Sequence, residues 1–130
     1  MSARKAQRAS EKIPGQAHHR LSIRIDLAGG ARIGPGKIAL LEEIDRSGSI
    51  SAAGRALRMS YRRAWELVED LNRNLGEPVV EAVAGGLHGG GTRLTPGGER
   101  LVQQYRAIER AATATAQDYL AALGSLARQG

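Results

Sequence analysis

A chain of 130 residues with no cysteine, no phenylalanine and a formal charge of +6 is one domain by length, with room for a single modest core. Lacking cysteine, it has neither a disulfide framework nor a thiolate metal site, and a cytoplasmic setting is the simplest reading. No apolar run reaches the roughly 18 residues of a membrane span, and the start lacks the apolar stretch of a secretory signal. The positive balance suggests an anionic partner. Yet Arg4, Lys5, Arg8, Lys12 and Arg20 against Glu11 put four of the six excess charges in the first twenty residues. Local clustering is therefore a sharper guide than net charge.

Residues 1–20 are polar and basic, contain Pro14-Gly15 and show no apolar period. They read as a disordered basic arm that either lies along phosphates or only keeps the chain soluble. His18 and His19 have no third ligand nearby. Leu21, Ile23, Ile25 and Leu27 then alternate with polar residues, the pattern of a half-buried strand, which Ala28-Gly29-Gly30 ends. Gly34-Pro35-Gly36 opens a helix with the apolar stripe Ile38, Leu41 and Ile44, Leu40 alongside, and Gly48 stops it.

From Ser49 to Leu71 the sequence reads as a short helix, a tight turn and a longer helix. Ser51 or Ser49 caps the first, and Ala52, Ala53, Ala56 and Leu57 form its small inner face. Arg58-Met59 makes the corner and Ser60 caps the second helix. Along that helix Tyr61, Ala64, Trp65, Val68, Leu71 and Leu75 recur at steps of three and four, one buried stripe in which Trp65 belongs to the core. Small residues in the first helix let the second cross it closely, as a helix-turn-helix requires. Arg46, Arg55, Arg58, Arg62 and Arg63 follow one another without an acid, whereas Glu66, Glu69, Asp70 and Glu77 then face Arg73 alone. A recognition helix offers its N-terminal residues to the major groove while its far end leaves the phosphates, so this gradient suits DNA. The plain alternative is a helical hairpin with a solvated basic face.

Gly76-Glu77-Pro78 breaks the chain, and Val79–Ala84 reads as a strand. Five glycines in Gly85–Gly91 and then Thr92-Arg93-Leu94-Thr95 complete a strand pair around a flexible loop. Behind a recognition helix that is a wing: Gly86, Gly89 and Gly90 allow backbone N–H groups close to phosphates, and His88 and Arg93 reach the backbone or minor groove. Without a following Gly-Lys-Ser/Thr or a helix, it is not a nucleotide-binding loop.

After Pro96-Gly97-Gly98 comes a long helix. Leu101, Tyr105, Ile108, Ala112, Thr115, Tyr119, Ala122 and Leu126 are spaced alternately by four and three, a heptad seam longer than a domain of this size needs for itself. It predicts a homodimer through a helix about 40 Å long. The alternative is a helix folded back on its own domain.

Together the order strand, helix, Ser47-Gly48-Ser49-Ile50-Ser51, Ser60-Tyr61-Arg62-Arg63-Ala64-Trp65 and a Gly-Gly-x-x-Gly-Gly-Gly wing closing on Thr92-Arg93-Leu94-Thr95 resembles the N-terminal DNA-binding domain of the ModE family. These are molybdate-responsive transcriptional regulators with a LysR-type winged helix-turn-helix. The similarity covers about residues 21–120. It implies a homodimeric repressor or activator whose recognition helix enters the major groove of double-stranded DNA, with Ser60, Tyr61 and Arg62 at its start and Gly85–Arg93 on the wing. ModE proteins usually continue into molybdate-binding repeats, and this chain ends at Gly130. No cofactor is expected, because nothing here supplies an oxyanion pocket in the family's manner. A regulator without a sensor, one served by a separate effector-sensing partner, and one domain of a longer protein all stay open.

The expected fold is mainly α with a small β-sheet: a basic arm (1–20), a winged helix-turn-helix (21–96) and a dimerisation helix (97–130). Arg62 is the candidate for a base edge, and Arg63 shares that role or holds phosphate. Ser49, Ser51, Arg55, Arg58 and Tyr61 are assigned to phosphates. The chain is not expected to be an enzyme, since His18, His19 and His88 are scattered and no Ser-His-Asp or metal-spaced cluster occurs. The rival reading is a protein-interaction module on a winged helix, with weak or non-specific DNA binding.

Overall fold

The computed structural model describes residues 19–86 and 89–127. Most of the basic arm, with His18, and the wing tip, with His88, lie outside the described residues. The described residues fall into two compact units, one within 22–110 and the other made of 19–21 with 111–127.

The larger unit opens on a ribbon of two antiparallel two-residue strands, β1 (Ile25–Asp26) and β2 (Arg32–Ile33), with Ile25 opposite Ile33. The expected strand over 21–27 is corrected by this: only its end pairs, and Leu27 is exposed. The chain doubles back too soon for a longer ladder. Gly29 and Gly30 adopt φ +98° and +101°, and the Leu27 amide donates to the Ala31 carbonyl at 2.9 Å. Positive φ at two successive positions is a hairpin geometry that glycine enters without steric cost.

Helix α1 (Pro35–Ser47) starts on Pro35, whose fixed φ suits a first helical turn, and stops where Gly48 turns left-handed at φ 74°. Its Ile38, Leu40, Leu41 and Ile44 are fully buried, each worth about 1.5–3 kcal/mol of transfer out of water. Helix α2 (Ile50–Ala56) and helix α3 (Tyr61–Asn74) cross above it. The inner face of α2 is narrower than expected: Ala53 and Gly54 are buried, whereas Ala56 is exposed. A Cβ on Gly54 would lie 3.2 Å from the Met59 carbonyl oxygen and 3.3 Å from the Ala64 Cβ, so the missing side chain is what lets α3 pass this closely. From α3 the buried residues are Ala64, Val68 and Leu71.

Trp65, expected in the core, is 45% exposed, and Tyr61, expected on the same stripe, is 57% exposed. Both lie at the edge of the apolar stripe, where no other element covers them fully.

Strands β3 (Val80–Gly86) and β4 (Gly89–Leu94) form the antiparallel hairpin, with Val80 opposite Leu94, Glu81 opposite Arg93 and an irregularity between Val83 and Gly86. Val79, Val80 and Leu94 close the core. Thr95 makes the corner into the last helix: its hydroxyl donates to the Pro78 carbonyl at 2.7 Å and accepts from the Gly98 amide at 3.0 Å.

Helix α4 (Pro96–Gly124) is one uninterrupted helix. Its first half belongs to the larger unit. Leu101 and Val102 pack on the core, and Tyr105 is buried with its hydroxyl donating to the Ile23 carbonyl at 2.7 Å. Burial raises the Tyr105 pKa above its ordinary value, and Glu109 adds to the effect. Tyr105 was expected on a dimerisation seam and is corrected here: its ring is consumed by the chain's own core. Next to it Arg106 forks onto Glu42 of α1 at 3.1 and 2.8 Å and reaches Glu109 at 2.7 Å, clamping the two helices. In the smaller unit Tyr119, Leu123 and Leu126 stand in solvent, with Tyr119 74% and Leu126 82% exposed. The architecture is a winged helix-turn-helix followed by a long helix, mainly α with two small two-stranded sheets. No helix among the described residues is long and apolar enough to cross a membrane.

Candidate nucleic-acid interface

The two helices of the motif are set by serine caps. Ser49 Oγ accepts from the Ala52 amide at 3.0 Å, and Ser60 Oγ accepts from the Arg63 amide at 3.0 Å. Each cap satisfies an otherwise unpaired N–H and is worth about 1 kcal/mol. Between them the chain turns through Arg58, the one non-glycine at positive φ (58°) among the described residues, while the Met59 amide closes onto the Gly54 carbonyl at 2.9 Å. The hydroxyl of Ser51 accepts from Arg55 Nη1 at 3.0 Å. Ser49, Ser51 and Ser60 thus hold backbone or neighbour in the free chain.

Arg55, Arg58, Tyr61, Arg62 and Arg63 are all exposed, on α2, the turn and the first turn of α3. Among the described residues the one ion pair they make is with Glu66, which Arg62 touches through Nε at 3.4 Å; the Arg62 side chain is 87% exposed. A surface pair of this kind is worth only about 0.3–0.5 kcal/mol, so the guanidinium is readily redirected to a ligand. Trp65, half-exposed one turn beyond Tyr61, joins this surface, and reading the apolar stripe misses it.

The hairpin is tied to the motif at two places. The Thr92 amide donates to the Gly48 carbonyl at 2.9 Å, and a Cβ on Gly91 would stand 2.7 Å from that same oxygen. From α3, Asn72 Oδ1 accepts from the Val79 amide at 2.8 Å and its Nδ2 donates to the Val80 carbonyl at 3.5 Å. A Cβ on Gly90 would collide with the Val83 carbonyl oxygen. Glycine at 90 and 91 therefore serves close backbone approach within the fold, besides any contact with phosphate. Gly86 pairs with Gly89 at the described end of the hairpin. Arg93 Nε reaches Glu81 Oε2 at 2.9 Å across the strands, an exposed pair.

The far end of α3 is pinned by Lys37 of α1, whose ammonium donates to Asp70 Oδ2 at 2.7 Å and to the Arg32 carbonyl at 2.8 Å. The Lys37 hydrogen bond holds the Asp70 pKa below its ordinary value, against a desolvation that pushes it up. Among the described residues no group of three or more His, Asp or Glu is placed to hold a metal ion.

Known proteins agree with this geometry. The model of the bacterial regulatory helix-turn-helix proteins of the lysR family matches residues 36–99. The chain is 52% identical over 80 residues to the molybdenum-pterin-binding protein MopB of Rhodobacter capsulatus, covering 62% of this chain and 30% of that one. It is 43% identical over 90 residues to the molybdenum transport protein ModE of Azotobacter vinelandii, covering 69% and 33%. To the DNA-binding transcriptional dual regulator ModE of Escherichia coli it is 41% identical over 71 residues, covering 55% and 27%. The chain thus spans about a third of the length of these curated relatives. Among solved structures, the CbnR_DBD–DNA complex shares the fold with a TM-score of 0.53 at 22% identity, covering 68% of this chain and 95% of that one. Caps, wing and matched sequence converge on one assignment: the winged helix-turn-helix of this chain is a LysR-type DNA-binding domain of the ModE family.

Proposed function

We propose that this chain is a sequence-specific transcription regulator that binds double-stranded DNA as a homodimer. In this reading α3 enters the major groove by its first turn and the glycine-rich hairpin lies along the adjacent backbone. The observation that carries it is the start of α3. Its backbone is capped by Ser60, and Tyr61, Arg62 and Arg63 stand in solvent ahead of the first acid. Arg62 reads a base edge, where loss of a bidentate contact costs about 1–3 kcal/mol of discrimination. Arg55, Arg58 and Arg63 hold phosphates. Two chains pair through the exposed face of α4 and place their readers on half-sites one helical turn, or a multiple, apart. Several relatives are named as transcriptional regulators, which supports the regulatory role.

Electrophoretic mobility on the DNA upstream of the chain's own gene tests this. Arg62→Ala should shrink the difference between that duplex and random DNA, whereas Arg58→Ala should weaken both alike and flatten the salt dependence. Identical behaviour of the two variants on both duplexes would remove the assigned roles. Parent binding that is indifferent to sequence would favour the protein-interaction reading.

A further inference from the structure

We propose that the β1–β2 ribbon is a second grip on the DNA backbone. It would form a phosphodiester-binding site from Arg24, Arg32 and Arg63 on the flank of α3 away from the wing. The proposal rests on α3 being the recognition helix. Arg24, Arg32, Lys37 and Arg63 line one open depression of about 350 Å³, with Met59 and Leu67 among its apolar walls and no acid among its lining. Arg32 and Arg63 are exposed and have no ion-pair partner among the described residues. Arg24 meets only Asp26, at 3.0 Å in an exposed pair that a phosphate easily displaces. Lys37 supplies position: by holding the Asp70 carboxylate and the Arg32 carbonyl together it seats the ribbon against α3.

The ribbon and the wing attach on different sides. Asp70 ties to the ribbon side and Asn72 to the wing side. Two residues on an α-helix are about 200° apart around its axis. An α-helix with its side chains is about 10–12 Å across and fills a major groove about 12 Å wide. Phosphates therefore run along both flanks. On the wing strands the one described cation, Arg93, is held by Glu81. On the ribbon flank three guanidinium groups converge, and a guanidinium fork matches two phosphate oxygens at once.

The test is the salt dependence of binding for the parent, Arg24→Gln/Arg32→Gln and Arg24→Lys/Arg32→Lys, on the upstream duplex and a random duplex. Neither side chain holds any other described element, so circular dichroism should be unchanged. The glutamine pair is expected to lower the slope of log Kobs against log salt by about one to two on both duplexes. The lysine pair should largely restore it, and hydroxyl-radical protection should vanish on the ribbon flank alone. An unchanged slope, with the parent still binding and Arg62→Ala still losing discrimination, overturns the second grip and leaves the recognition helix standing. A parent that binds neither duplex overturns both. Inorganic phosphate at constant ionic strength is the remaining arm. A melting temperature that it raises in the parent but not in the glutamine pair, with no change of slope, assigns the depression to a free oxyanion and overturns the proposal.

Discussion

Trp65 is the single tryptophan of the chain, and its half-exposed indole sits one turn along α3 from Tyr61. Its fluorescence is therefore expected to report DNA binding directly, with a quench or blue shift on duplex addition that follows the mobility-shift titration. A spectrum indifferent to saturating DNA would place Trp65 outside the interface. Trp65→Ala should cost clearly less stability than the 3–5 kcal/mol of truncating a buried aromatic. At Gly54 two effects compete. Alanine gains up to about 1 kcal/mol of helix propensity, but its Cβ would press on the Met59 carbonyl and Ala64, neither of which moves without moving the turn. Overpacking of about 1–3 kcal/mol wins, so Gly54→Ala should lower the melting temperature; a rise would show that the helix crossing has slack.

At the scale of elements, Lys37–Asp70 is the tie between α1 and the far end of α3. The Asp70 carboxyl titrates below its ordinary 3.8 in the folded chain. Its contribution is therefore fully present above that value and lost as pH falls through the lower folded one. Asp70→Asn should cost about 1 kcal/mol near neutral pH, discounted for the partly exposed carboxylate. The melting curves of parent and variant should converge in acid; a gap that persists there would mean the effect is packing and not charge. Most elements are legible from local signals: Ser49, Ser60, Gly48 and Pro35 each punctuate the chain where the helices begin or end. What local signals miss is coverage. A stripe at steps of three and four marks Tyr61 and Trp65 as apolar-facing, but whether an edge residue is covered depends on which segment lies beyond it. Strand β2 escapes because two residues have no period, although Gly29-Gly30 is a hairpin signal and Arg32 sits between the buried Ala31 and Ile33. The ribbon arginines go unnoticed with it.

For the whole molecule, the seam read along α4 divides. Leu101 and Tyr105 serve the chain's own core, and the exposed apolar residues begin at Ile108. If two copies pair, the pairing face is the later one. Because Tyr119 and Leu126 are so exposed in the single chain, Tyr119→Glu/Leu126→Glu should leave circular dichroism intact. By sedimentation it should shift the population toward monomer and weaken DNA binding by an order of magnitude or more. A parent that sediments as a monomer at all concentrations would remove the dimer. The fold also keeps the proposed reading surface apart from its structural bonds. The cap on α3 runs from the Ser60 hydroxyl to the backbone amide of Arg63, and the side chains of Tyr61, Arg62 and Arg63 hold up no other element. Mutational drift at these three positions is therefore cheap for folding; with α3 as the reading helix, as proposed, the domain would acquire new operator preferences through successive viable intermediates while its scaffold stays as it is.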